Sequence, residues 1–129
     1  MIEYSQSSHM FILPNGAKLT DCYSGGGPSG NELTRNRPGA QGMRYLGPLP
    51  QGQYTISPAH TVPHLGPIVM ALTPAPTNQM FGRSGFFIHG DNAEQNFTAS
   101  DGCIVCGPQI RQQIADLVLS GEDQLTVIA

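Results

Sequence analysis

The sequence is short of charge. Only 12% of its 129 residues are Asp, Glu, Lys or Arg, and Lys and Arg together number six. With a formal net charge of −3, the chain lacks the basic patch that nucleic acid or an anionic membrane surface demands, so no nucleic-acid partner is expected. Long hydrophobic runs are missing too. No stretch approaches the roughly 18 apolar residues of a membrane span, which argues against membrane insertion. Met1-Ile2-Glu3-Tyr4-Ser5-Gln6 has neither the basic segment nor the apolar core of a signal peptide. That predicts a chain made in the cytoplasm unless a dedicated machine exports it. An even cysteine count is the last absence. Three cysteines cannot complete a disulfide framework, so at least one thiol stays free or pairs elsewhere.

What is present is turn-forming residues and a core. Sixteen Gly and 11 Pro accompany 39% hydrophobic residues. This balance favours strands and loops over a helical bundle. The length fits a single domain, residues 1–129, able to bury a core without staples. The expected fold is mainly β with a minor α contribution.

Residues 10–13 and 17–23 flank Asn15-Gly16, a strong hairpin signal. Residues 24–31 read as a flexible Gly-rich loop; a phosphate cradle would end in Gly-Lys-Ser/Thr and open a helix, and this one does not. Residues 31–45 are polar and irregular. Tyr54 and Ile56 alternate on one strand face, residues 68–72 read as a buried strand, and residues 86–88 form a strand that ends on His89. Pro108 opens the one helix, with Ile110, Ile114, Leu117 and Val118 as its apolar face and Gly121 as its stop. Residues 125–128 close the chain as a strand. No repeat is visible.

Chemistry concentrates at His89-Gly90 and Ser100-Asp101-Gly102-Cys103-Ile104. A free cysteine is only a few per cent thiolate at neutral pH, and a nearby imidazole can take its proton. Gly102 permits a tight turn before Cys103, so that two amides can face one oxyanion. The cysteine precedes the helix by several residues, which leaves His89 to supply most of the activation. Asp91 or a backbone carbonyl such as that of Gly90 would orient the imidazole. Competing readings exist. Cys103-x-x-Cys106 resembles half a zinc site, with Cys22 and the His60-x-x-x-His64 pair as further ligands, or a thioredoxin-like redox pair. Cys22 and Cys106 otherwise read as small buried hydrophobes, able to form a disulfide in an oxidising compartment. His9, His60 and His64 read as structural.

These residues resemble the signature of the L,D-transpeptidase family: His-Gly, a spacer, then Ser-x-Gly-Cys followed by Ile. The Pro50-x-Gly52-x-Tyr54 stretch is similar to that family's strand entry. Tyr23-Ser24-Gly25 and the run from Gly82 through Arg83 to Asp91 are similar to its smaller branch of type VI secretion effectors. Val105 stands where the wall-building members carry arginine. The resemblance implies a small β-sandwich or barrel with one helix in its C-terminal half. It implies Cys103 as nucleophile, His89 as base, and the N–H groups of Gly102 and Cys103 in the oxyanion hole; the Gly90 carbonyl stays a candidate orienter. Ser100, Arg83 and Asp101 would contact substrate, Arg83 through a carboxylate of the peptidoglycan stem. No cofactor or metal is implied. The expected activity is L,D-carboxypeptidase cleavage of tetrapeptide stems, or exchange of the terminal D-Ala for another D-amino acid. The expected setting is the periplasm of a target bacterium, reached through secretion-system delivery components and countered in the producer by an immunity protein. The alternatives are a cysteine peptidase or amidase cutting a different peptidoglycan bond, and a non-catalytic module that is zinc-stabilised or wall-binding.

Overall fold

The computed structural model describes residues 1–129. Ten strands are present: β1 Ile2–Ser5, β2 Met10–Ile12, β3 Lys18–Leu19, β4 Cys22–Ser24, β5 Gly52–Ile56, β6 His60–Val62, β7 Gly66–Pro74, β8 Phe86–His89, β9 Ile104–Cys106 and β10 Gln124–Ile128. The α1 helix, Pro108–Leu119, lies between the last two. The strand order is β3-β2-β1-β10-β5-β7-β8-β9-β4, with β6 paired to β7. β2 and β4, near opposite ends of that order, come back into contact and curl the sheet round its core. The fold is therefore mostly β with one helix, as composition and turn content led us to expect.

Local chemistry accounts for the elements that were anticipated. Gly16 takes φ 86° in the β2–β3 turn, where Leu13 N–H donates to Ala17 O at 2.8 Å. Tyr54 and Ile56 point inward from β5, with exposed Thr55 between them. Pro108 starts α1, where its missing N–H costs nothing. The helix buries Arg111, Ile114, Ala115 and Val118, while Ile110 and Leu117 pack at the margin of the core. The stripe is thus rotated from the one the apolar residues suggested, and it carries a cation inward.

Three strands escaped the sequence reading because their support is tertiary. β1 runs parallel to β10, with Ile2↔Leu125 and Tyr4↔Val127, and its Tyr4 packs against Phe11 at 4.9 Å between ring centroids. β6 forms a short hairpin with β7. β9 has only three residues, all buried. The stretch 17–23 is also not one strand. Asp21 at φ 65° turns the chain away from β2, and β4 goes on to pair with β9 at the far end of the sheet. β4 thereby brings Ser24 to the Gly102 carbonyl.

Candidate active site

β8 and β9 are parallel neighbours, in register at Ile88↔Ile104 and His89↔Val105. Cys103 immediately precedes β9, so it arrives beside Phe87, two residues before His89. Its Sγ accepts the Phe87 N–H at 3.3 Å. His89 is 4% exposed, Cys103 is half-buried, and both line a cleft of about 450 Å³ together with Arg44, Tyr45, Phe86 and Asp101. The two do not hydrogen-bond directly. The cleft that holds them is open enough for a carbonyl group to enter.

The imidazole has a defined orientation. Its Nδ1 lies 2.7 Å from Gly90 O. A carbonyl can only accept, so Nδ1 carries the hydrogen and Nε2 keeps its lone pair. Asp91 is not the orienting group, because its carboxylate accepts from Tyr23 OH at 2.7 Å and from the Asn92 N–H at 2.9 Å. Burial holds the His89 pKa below its ordinary value, and nearby Arg111 works in the same direction. Burial also pushes the Cys103 thiol up to about 11, although the Phe87 N–H and Arg83 pull it the other way. At neutral pH the pair is therefore thiol and imidazole, not thiolate and imidazolium. The free Nε2 lone pair of His89 is able to accept a proton.

The turn bearing Cys103 is held by side chains from far along the chain. Ser100, 1% exposed, accepts the Gly25 N–H at 2.8 Å and the Gly102 N–H at 3.1 Å, and donates to Cys103 O. Ser24 donates to Gly102 O at 2.8 Å and accepts the Leu49 N–H at 2.8 Å. Gly102 sits at φ 142°. A Cβ there would lie 2.5 Å from an Arg83 terminal nitrogen and 2.6 Å from the Phe86 ring. Only glycine fits.

These contacts correct three expectations. The Gly102 N–H donates to Ser100 Oγ at 3.1 Å and is not free for an oxyanion, whereas the neighbouring Cys103 N–H donates to no backbone carbonyl. Ser100 is buried in the turn with all its bonds internal, so it shapes the loop instead of touching substrate. Arg83 is buried as well. Its terminal nitrogens donate to Gln41 O, Pro48 O at 2.8 Å, Gly47 O at 2.9 Å and Asp101 O at 2.9 Å. All four terminal hydrogens are taken by backbone carbonyls, and the fork cannot also grip a substrate carboxylate. Asp101 does keep an exposed side chain on the cleft rim.

Arg44 is the other arginine on the cleft. It is exposed on the cleft wall, 5.1 Å above the Tyr45 ring, with no carboxylate partner. Nothing in the irregular stretch 31–45 distinguished it. Arg111 was also missed, although the helical period had a signal: residues 111, 114, 115 and 118 make one stripe. It donates from Nε to Cys106 O at 3.0 Å and from one terminal nitrogen to Pro67 O at 2.7 Å. Its other terminal nitrogen packs against Gly90, 2.7 Å from where a Cβ would stand. The zinc ligand set considered from sequence is not assembled. No three His, Cys, Asp or Glu side chains come together, and His60 is exposed on β6.

No curated protein matches the chain. Its fold is shared with the crystal structure of L,D-transpeptidase 1 of Mycobacterium tuberculosis, at a TM-score of 0.52 and 16% sequence identity, over 99% of this chain and 58% of that one. The chain thus spans somewhat over half the length of that enzyme. The Tlde1 domain matches residues 24–128, which include both strands of the site, the Ser100 turn and α1. The chain belongs to the Tlde1 domain family.

Proposed function

We propose that this chain is a cysteine acyltransferase of peptidoglycan, acting at the L,D-peptide bond of tetrapeptide stems. One observation carries the reading: parallel β8 and β9 deliver His89, with Nε2 free, and Cys103 to the same cleft. The shared fold supports the L,D-transpeptidase class.

In this mechanism the stem carbonyl enters beside Sγ, and His89 Nε2 takes the thiol proton as sulfur attacks. Because thiol and imidazole both start neutral, proton transfer accompanies attack and does not precede it. The Cys103 N–H stabilises the oxyanion. Collapse breaks the C–N bond to the terminal D-Ala, whose amine receives the proton from His89. The thioester on Cys103 then passes to water, giving a tripeptide, or to another D-amino acid, giving an exchanged stem. Arg44 is the cation placed to meet a stem carboxylate, and Asp101 borders the same entrance.

Membership of the Tlde1 domain family supports the further reading as an antibacterial effector. Removing or exchanging the terminal residue destroys the donor for ordinary cross-linking. Such an enzyme would be made in the cytoplasm, delivered by a secretion system into a neighbour's periplasm, and matched by an immunity protein in the producer. The test is mass spectrometry of disaccharide-tetrapeptide incubated with the protein, with and without D-Met, beside a Cys103→Ala control. Tripeptide or D-Met-exchanged product, absent in the control, is the expected result. Cleavage at another bond would move the assignment to a different peptidase or amidase class.

A further inference from the structure

A second cleft, of about 540 Å³, lies off the reacting residues. Tyr23, Phe97, Arg35, Val105, Cys22 and Cys106 contribute to its walls, whereas Cys103 and His89 do not. Cys22 and Cys106 are direct register partners in the antiparallel β4–β9 pair. Such partners hold their Cα atoms about 4.5 or 5.5 Å apart, and a disulfide spans roughly 4.4–6.8 Å. Both thiols are free, nearly inaccessible to bulk water and set against each other; burial first, and then the adjacent Cys22 thiol, push the Cys106 thiol up.

We infer that Cys22 and Cys106 are a disulfide-forming site that staples β4 to β9 when the protein meets an oxidising disulfide. The strands already stand in the required register, so the bond forms without moving the sheet. Two S–H bonds break and one S–S bond forms. The two electrons reduce the oxidant's own S–S bond, and the two protons leave on its two released thiols. The cleft gives the oxidant its approach to otherwise buried sulfurs. β4 ends the strand order, and its pairing along the sheet is to β9 alone. It also carries Ser24, which holds the Gly102 carbonyl and the Leu49 amide. Locking β4 therefore also locks the turn beneath the nucleophile. The odd cysteine count resolves into a pair and one free thiol, because Cys103 opens onto the other cleft.

The test starts from the reduced full-length chain, exposed to oxidised glutathione and followed by intact mass, peptide mapping and thermal melting. We expect loss of two hydrogens, a single Cys22–Cys106 linkage, continued alkylation of Cys103 by iodoacetamide, and a melting temperature raised by roughly 10 °C, as a bridge closing a long loop confers. A lasting glutathione adduct on Cys22 or Cys106, a Cys103–Cys106 linkage, or no change in mass would each overturn the inference. Cys22→Ala serves as control and should show neither the bridge nor the thermal shift. Since mass and linkage are the readouts, the outcome is independent of whether the acyl-transfer reading holds.

Discussion

Cys103 stands just before β9 and Cys106 ends it; burial raises the pKa of both thiols, but their neighbours differ. Cys103 is half-buried, faces a cleft with a histidine, and accepts an amide N–H from Phe87. Cys106 is 2% exposed, faces a second cysteine across a β ladder, and has no imidazole in its cleft wall other than that of His9. One short strand therefore separates the proposed nucleophile from the proposed cross-linking partner. Residue type alone assigns neither role. Strand register and the two flanking clefts are what the two proposals rest on.

The sharpest way to break the comparison is to delete each thiol in turn. Cys103→Ala should lower release of tripeptide from tetrapeptide by at least about a thousandfold, with the melting temperature little changed. Cys106→Ala should leave that activity within a few fold, so similar losses from both variants would erase the distinction.

Titration sharpens it further. The folded Cys103 pKa is raised, so the thiolate stays a minor species at neutral pH, and its share should climb about tenfold per pH unit until roughly pH 11. Iodoacetamide labelling of Cys103 should accordingly accelerate about a hundredfold from pH 7 to 9, without levelling near 8.5. The His89 pKa is lowered instead, so the imidazole stays neutral as pH falls through 6.5. The acidic limb of kcat/KM should therefore lie below pH 6.5. A rate of labelling already maximal at pH 7 would mean a pre-formed thiolate–imidazolium pair.

Gly102→Ala tests the turn that aims one thiol and not the other. Its Cβ would intrude on Arg83 and Phe86 at a φ unsuited to alanine, a cost of about 2–4 kcal/mol readable by denaturant unfolding. Activity should fall even in the fraction that remains folded. The smallest effect expected is from Arg44→Ala: KM for tetrapeptide should rise several fold with kcat retained, because an exposed cation contributes modestly to binding.

The site was legible in sequence to the extent that its chemistry is local. His89 ends an apolar run and Cys103 follows a glycine, and both signals survive without a fold. The Gly90 carbonyl was legible as one of two candidate partners of the imidazole, and it is the one 2.7 Å from Nδ1, while Asp91 accepts from Tyr23 OH. Arg83 and Gly102 were misread for a common reason: their hydrogen-bond partners come from residues 41, 47, 48, 100 and 101, whose approach depends on loops with no periodic pattern. β1, β6 and β9 were missed because no hairpin signal or long apolar run set them off, and their pairing with other strands is what defines them. Arg111 is the exception, since a period of 3.6 already placed it on the buried stripe of α1.

The central claim is that Cys103 becomes acylated. Rapid mixing of the protein with disaccharide-tetrapeptide, acid quench and intact-mass measurement tests it directly. The account predicts a transient adduct of the stem lacking its terminal D-Ala, mapped to Cys103, cleaved by hydroxylamine and absent from Cys103→Ala. Turnover to tripeptide with no thioester on Cys103, or an adduct that persists in Cys103→Ala, would contradict it.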